Sequence, residues 1–186
     1  MAEHTATAEK ILDVAERMAR TGGYNGFSFR EIAKEVGIKS ASVHYHFPGK
    51  EDLGAAVARR YSEKFLGALG DAGDLSRSPE QLYQLYIQTY RHALQDERLM
   101  CLCGVLGSEI AYLPHVVSTE VRQFFTDNIE WLKVLFSRAF EKEPAEKHEA
   151  AALRLIASLE GAMILAQTLG DVSVFDKAAD AMPLSV

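Results

Sequence analysis

Side chains that form hydrogen bonds are concentrated in one short segment, residues 40–46, which reads Ser-Ala-Ser-Val-His-Tyr-His. Its hydroxyls and its phenol can reach phosphate oxygens or base edges, and its small residues allow a backbone to approach DNA closely. Cations flank the segment, since Arg30 and Lys39 precede it and Lys50 follows it. These residue types in this order indicate contact with a nucleic acid.

The distribution of charge points the same way. The chain has 186 residues and a net charge of −6, which argues against a protein that is coated by DNA on all sides. Residues 17–50 nevertheless contain six Lys or Arg and only two acids, whereas residues 52–186 contain 13 Lys or Arg and 19 acids. A basic segment on an acidic body predicts a small nucleic-acid contact near one end.

Other chemistry has weaker support in the sequence. His44 and His46 are two residues apart and diverge on a helix, whereas a chelating pair prefers a spacing of four, so we expect no metal and no cofactor. We expect Cys101 and Cys103 to be small buried apolar residues without a chemical role. The alternative is that Cys101 is a redox-sensitive cysteine. An enzyme is not expected, because the chain has no nucleophile elbow, no His-Glu-x-x-His motif and no phosphate loop.

The elements that must position these side chains are all predicted to be helices, because apolar residues recur at helical spacing and no long alternating stretch occurs. Ser28 to Glu31 matches a capping box, with Gly37 at the end of that helix and Ser40 as the expected cap of the next one. The predicted helices are 5–21, 28–36, 40–46, 50–69, one that starts at 78–79, 99–112, 115–141, 145–170 and 173–181. Two short helices joined by a glycine-containing turn form a helix-turn-helix, whose second helix enters the major groove.

The N-terminal segment and the overall hydropathy bear on location. Residues 1–10 are polar and lack the apolar core of a secretory signal, and no apolar run reaches the roughly 18 residues that a membrane span needs. We therefore expect a cytoplasmic protein that does not bind a membrane.

Residues 26–53, GFSFREIAKEVGIKSASVHYHFPGKEDL, resemble the N-terminal domain of the TetR (tetracycline-repressor) family of transcriptional regulators. The resemblance extends over about residues 9–53 in its spacing, its turn glycine and its Tyr-His-Phe-x-x-Lys ending. It implies an all-α homodimer, with a helix-turn-helix DNA-binding domain at residues 1–49 and a helical ligand-binding and dimerisation domain at residues 50–186. It also implies a repressor that acts in transcription regulation.

The resemblance assigns roles to individual residues of the DNA-binding domain. Arg30 becomes the candidate base reader, and Lys50 becomes a phosphate contact at the start of the linking helix. His44 and Tyr45 occupy positions where the family places aromatic residues against the DNA backbone, although Tyr is commoner than His at position 44. The implied DNA-binding set is Arg30, Lys39, Ser40, Ala41, Ser42, His44, Tyr45 and Lys50.

The C-terminal half provides candidates for an effector site and for a dimer interface. Residues 101–109 resemble a Cys-Leu-x-Gly-x-Leu-x-x-Glu stretch of one family branch, in which the first cysteine senses oxidants or electrophiles in some members. The predicted ligand-binding residues are Tyr86, Tyr90, Phe124, Asn128 and Cys101. The 145–170 helix carries a core stripe that ends at Leu169, and a second stripe that we expect at the dimer interface: Arg154, Ser158, Gly161, Leu165 and Thr168.

The expected partners follow from these two halves. They are a double-stranded DNA operator, a second copy of the chain and an unidentified small-molecule effector that releases the repressor from its operator. The alternative is a DNA-binding regulator whose C-terminal domain binds another protein instead of a small molecule.

Overall fold

The computed structural model describes residues 2–96 and 99–186, and every regular element within these ranges is helical. The α-helices, numbered α1 to α9 in chain order, are Ala2–Gly22, Phe29–Val36, Ser40–His46, Lys50–Leu69, Pro79–Asp96, Leu102–Ser108, His115–Ala139, Ala145–Leu169 and Ser173–Asp180. Short 3-10 helices lie at Tyr24–Gly26 and Ile110–Tyr112. The prediction of an all-α fold is confirmed.

The helices form two compact units. The first contains the chain up to Glu63 together with Leu102–Phe124, and the second contains Lys64–Cys101 together with Phe125–Val186. Two of the three boundaries fall inside long helices, so that α4 and α7 each contribute to both units, and the third lies just before α6. The functional division expected between residues 49 and 50 is a different kind of boundary from these, and it stays a prediction.

Local sequence signals determine the shape of α2 in the first unit. The Ser28 hydroxyl caps the helix by accepting from the Glu31 amide at 3.3 Å, and it donates to Glu31 Oε2 at 2.6 Å. Gly37 ends the helix with φ +77°, and its amide donates to the Ala33 carbonyl. A left-handed residue at this place favours glycine, which has no Cβ to clash. Both signals were predicted, and both are confirmed.

The expected cap of α3 is wrong. Lys39, and not Ser40, is the residue before the first helical turn, with an extended backbone at φ −78° and ψ 145°. Its carbonyl accepts from the Ser42 amide at 2.8 Å, and no side chain caps this helix end. Ser40 is already helical and exposed, so its hydroxyl is not used as a cap.

An ionic cluster joins α1 to α4 within the first unit. Arg60 is only 9% exposed, and its guanidinium lies 3.0 Å from Glu9, 2.8 Å from Asp13 and 2.9 Å from Glu16. Three carboxylates of one helix therefore share one buried cation of another. Replacing the cation by an apolar side chain would remove the positive charge that those three carboxylates share.

We expect Arg60→Met to lower the free energy of unfolding by about 1–3 kcal/mol. This loss is smaller than the loss expected from breaking a fully buried ion pair, because the side chains of Glu9 and Asp13 are 54% and 64% exposed. Urea denaturation at pH 7 measures the change. The matched control is Arg59→Met, since Arg59 pairs with Glu120 but its side chain is 60% exposed. Equal losses in the two variants would contradict a special role for the buried cluster.

The second unit has its own core. Its fully buried side chains include Leu82, Leu132, Leu159, Met163 and Phe175. Polar contacts join its elements: Arg91 of α5 binds Asp176 of α9 at 2.5 and 2.9 Å, which lowers the pKa of that carboxyl. Trp131 donates its indole N–H to the Gly70 carbonyl at 2.7 Å. These contacts fix the helices around the core.

Two further predictions about the C-terminal half of the sequence are wrong. The helix expected over 99–112 begins only at Leu102 and continues after Ser108 as a separate 3-10 turn, so Cys101 precedes the helix. Leu169, assigned to the core stripe, is 65% exposed, because α8 ends there and Gly170 turns the chain away.

Within the ranges that the structure describes, no helix combines the length and apolar character needed to cross a membrane.

Candidate nucleic-acid interface and a buried polar cluster

The α2 and α3 helices pack on each other and on α1, and they leave one side of α3 in solvent. Val43 is the one buried residue of α3, with 0% exposure, as predicted. Tyr45, on the opposite side, is 75% exposed. A helix held by a single buried apolar residue leaves most of its other side chains accessible to a partner outside the fold, which is what a recognition helix requires.

The structure places the predicted DNA-binding residues in this one unit. The exposed members are Arg30, Lys39, Ser40, Ala41, His44 and Tyr45, and the half-buried members are Ser42 and Lys50. Their exposure makes contact with a duplex possible, and the contacts themselves stay predictions.

The two histidines of α3 have packing roles. His44 lies edge-on against Phe29 of α2, with ring centroids 4.5 Å apart, and its Nδ1 is 3.3 Å from the Pro48 carbonyl oxygen. His46 packs edge-on against Tyr45 at 5.5 Å. Among the described residues, no three His, Cys, Asp or Glu side chains are arranged to hold a metal ion.

The basic surface is smaller than the charge count indicated. Arg17 is ion-paired with Glu35, and Arg20 is only 5% exposed with Glu16 at 3.7 Å. The charge of Arg17 is therefore balanced by an acid at the surface, and Arg20 is buried. The cations left for a polyanion are Arg30, Lys34, Lys39 and Lys50.

Lys50 is held more firmly than the other cations of this surface. Its ammonium lies 4.7 Å from the ring centre of Tyr24 and 4.8 Å from that of Phe27, within the range of cation–π attraction. Burial lowers the Lys50 pKa, and the charges of Glu31 and Glu109 oppose that change. The lysine begins α4, so its position is tied to both the ring pair and the helix start.

The second unit contains a buried cluster of polar groups. Tyr86 and Tyr90 are 0% and 1% exposed, and the Tyr86 hydroxyl donates to Asn128 Oδ1 at 2.9 Å. Phe65 packs edge-on against both tyrosines, at 5.9 and 5.3 Å. Cys101 lies beside them, also buried, and forms no disulfide. Four of the five predicted ligand residues thus lie in the second unit, while Phe124 packs against Tyr61 of the first unit.

Sequence reasoning missed Glu160, which lies in this cluster. Burial raises its pKa from 4.5 to about 7, and the nearby Cys101 thiol and Tyr90 hydroxyl only partly oppose the rise. Neither Glu160 Oε1 nor the Tyr90 hydroxyl completes a hydrogen bond of normal geometry, although both atoms are buried. A signal was present, because Glu160 is the one charged residue between Leu155 and Leu169.

The predicted interface stripe of α8 reaches the surface. Its five residues, Arg154, Ser158, Gly161, Leu165 and Thr168, are exposed or half-exposed. Apolar neighbours are exposed beside them, with Ile164 at 55% and Leu165 at 54%. A Cβ atom at Gly161 would meet no atom of the described residues within 4 Å, so no contact among them requires glycine there.

The chain has clear relatives. Residues 11–57 match the family described as "Bacterial regulatory proteins, tetR family". A TetR-family regulator structure from Agrobacterium tumefaciens is 30% identical, with a TM-score of 0.88 over 96% of both chains, and one from Legionella pneumophila is 34% identical, with a TM-score of 0.86 over 93% of both chains. The negative transcriptional regulator IcaR of the Staphylococcus epidermidis biofilm operon is 29% identical over 114 residues, which cover 61% of this chain and 58% of IcaR.

The two structures match the chain over almost its whole length, and their identity is high enough to establish more than a shared fold. The family match at residues 11–57 covers the second half of α1, all of α2 and α3 and the start of α4, and so it includes the exposed α3 helix. The chain therefore belongs to the TetR family of transcriptional regulators, whose members bind operator DNA and act as dimers.

Proposed function

We propose that the protein is a homodimeric transcriptional repressor that binds a near-palindromic operator through α3 and is released by a small molecule. The observation that carries the proposal is the surface of α3, where Val43 alone is buried and hydroxyl, imidazole and phenol groups are exposed. Repression is supported by the likeness to IcaR, which is a negative transcriptional regulator.

Selection of binding sequences from a random duplex library tests DNA recognition. Two recognition helices related by a two-fold axis should enrich a near-palindrome whose half-sites lie about 10–10.5 base pairs apart. A selection at low salt that enriches nothing, or that enriches only unpaired half-sites of no fixed spacing, would contradict the proposal.

The effector site is proposed at the buried cluster of Tyr86, Tyr90, Asn128, Cys101 and Glu160. Buried polar atoms whose hydrogen bonds are incomplete cost about 1–3 kcal/mol per group, so a ligand that improves the bonding of Tyr90 and Glu160 would be stabilised there. The burial of Cys101 favours reversible binding over thiol oxidation, because a reactive thiol needs access to its oxidant. Phe124 remains a predicted ligand contact.

Mass spectrometry of small molecules released from purified protein would identify the effector. That compound should weaken binding to the selected duplex, and the duplex should weaken binding of the compound by the same factor, since coupling between two sites is reciprocal. If capture experiments returned a protein partner that alone releases the duplex, a protein effector would replace the small molecule in this scheme.

The dimer interface is proposed on the exposed face of α8 that contains Arg154, Ser158, Gly161, Leu165 and Thr168. A glycine inside a helix costs about 1 kcal/mol relative to alanine, and no contact in the part of the chain that the structure describes explains Gly161. A small residue beside exposed Ile164 and Leu165 allows a second helix to approach closely. This face is therefore suited to packing on its own copy.

We expect Leu165→Glu to convert the dimer into a monomer, because it would place two like charges in an apolar contact about a two-fold axis. Sedimentation velocity measures the change. Gln167→Glu is the matched control: it adds the same charge at an exposed position about 200° around the same helix, and it should leave the dimer intact. A dimer that survives Leu165→Glu would place the interface elsewhere.

A further inference from the structure

Glu109, the residue that follows α6, reaches back to the turn between α1 and α2 within the first unit. Its Oε2 accepts a hydrogen bond from the Tyr24 amide at 2.9 Å. A Cβ atom at Gly23 would lie 2.0 Å from Glu109 Oε1, so the carboxylate occupies the space that any other residue at position 23 would need. Gly23 is also left-handed, with φ +69°. The turn and the carboxylate are therefore built around each other.

The same turn holds Lys50. Tyr24 and Phe27 pack edge-on at 5.7 Å, and both rings lie under the Lys50 ammonium. Glu109 thus fixes the backbone of the residue whose ring supports the lysine. It also favours the charged form of Lys50 against the effect of burial.

The charge of Glu109 alone would predict the opposite effect on DNA binding. An anion near a DNA-binding surface repels phosphates, so its removal should strengthen binding to any duplex. If Glu109 instead positions Lys50, its removal should weaken binding, because the ammonium loses its place. The two explanations predict changes of opposite sign.

We propose that Glu109 is a positioning residue for DNA binding, which holds the Tyr24 turn so that the Lys50 ammonium is directed at a DNA phosphate. The inference rests on the proposed function, since it requires that Lys50 contacts DNA. Glu109 touches no DNA itself and acts through Tyr24 and Lys50. The segment that follows α6 therefore belongs to the DNA-binding apparatus.

Two conservative substitutions separate the effect of the side-chain length at position 109 from the effect of its negative charge. Glu109→Gln keeps an oxygen that can accept from the Tyr24 amide but loses the charge, whereas Glu109→Asp keeps the charge but is one methylene too short. We expect Glu109→Gln to bind a mixed-sequence 30-base-pair duplex about as well as the unsubstituted protein. Glu109→Asp should bind on the order of tenfold more weakly, the scale of one charge-assisted contact.

The salt dependence of the same binding shows whether Lys50 carries the effect. Loss of one phosphate contact reduces the slope of log affinity against log salt by about 0.9. We expect this reduction in Lys50→Ala and in Glu109→Ala, and no further loss when the two are combined. Glu120→Ala removes another acid of the same unit, one that pairs with Arg59, and should leave the slope unchanged.

Tighter duplex binding by Glu109→Asp or Glu109→Ala would overturn the inference, as would losses that add fully to that of Lys50→Ala. Normal binding by Glu109→Asp would also overturn it. Because Glu109→Asp keeps the charge, it still tests the inference if Glu109→Ala does not fold. Failure of the unsubstituted protein to bind the duplex at 50 mM salt would overturn the proposed function as well. Duplex binding by the unsubstituted protein together with an unchanged Glu109→Asp variant would refute the role of Glu109 alone.

Discussion

At pH 8, Glu160→Gln is expected to raise the free energy of unfolding by about 3 kcal/mol, because the folded protein must hold a buried carboxylate that glutamine replaces with a neutral group. Burial raises the Glu160 pKa from 4.5 to about 7 in the folded state. The folded state therefore holds the proton more tightly than the unfolded state between these two values. Stability from the protonated group is complete below about pH 4.5 and is lost as the pH rises through about 7.

Urea denaturation of both proteins at pH 5 and pH 8 measures the effect. The advantage of Glu160→Gln should be small at pH 5, where both folded proteins carry a neutral side chain, and should reach its full size at pH 8. Glu149→Gln removes an exposed acid from the same helix and should show no comparable pH dependence. An equal stability difference at the two pH values would contradict a buried, shifted carboxyl.

The expected effect of Arg30→Ala is a loss of about 1–3 kcal/mol of specific binding, which is the discrimination that a bidentate arginine contact to guanine provides. Arg30 is exposed on α2, beside the recognition helix. The loss should fall on one base pair of each half-site, so that the variant becomes indifferent to the base at that position. Roughly 5-fold to 150-fold in affinity corresponds to this range.

Competition binding with duplexes that differ at single positions locates the contact. Lys34→Ala, four residues further along α2 and also exposed, is the matched control. A lysine that contacts phosphate should weaken binding to all duplexes by a similar factor, since phosphate contacts carry no sequence information. If Arg30→Ala also weakened every duplex equally, Arg30 would be a phosphate contact and not a base reader.

Helix ends that depend on neighbouring residues could be read from the sequence. Ser28 and Glu31 cap α2 through bonds that span three residues, and Gly37 ends it through its own backbone conformation. Pro79 begins α5 for the same kind of local reason. Ser40 failed as a cap because its place in the helix depends on the preceding Lys39 carbonyl.

The charge of the DNA-binding surface could be read only in part. Six cations in residues 17–50 were visible, but Arg17 is paired with Glu35, and the side chain of Arg20 is buried near Glu16. Arg60 of α4 similarly forms ion pairs with acidic residues of α1. Pairing between helices depends on their packing, and no spacing along the chain reports it.

The sequence by itself determined the all-α architecture and the helix-turn-helix, because helical periodicity, capping and turn glycines act over a few residues. The polar exterior of α3 followed as well, since a helix with one large aliphatic residue has little to bury. Only the tertiary structure decided that Glu109 accepts from the Tyr24 amide, 85 residues away, and that the Glu160 Oε1 atom is buried near Tyr90. The carboxyl of Glu160 becomes neutral or charged according to surroundings supplied by distant segments, and those surroundings exist only after the chain has folded.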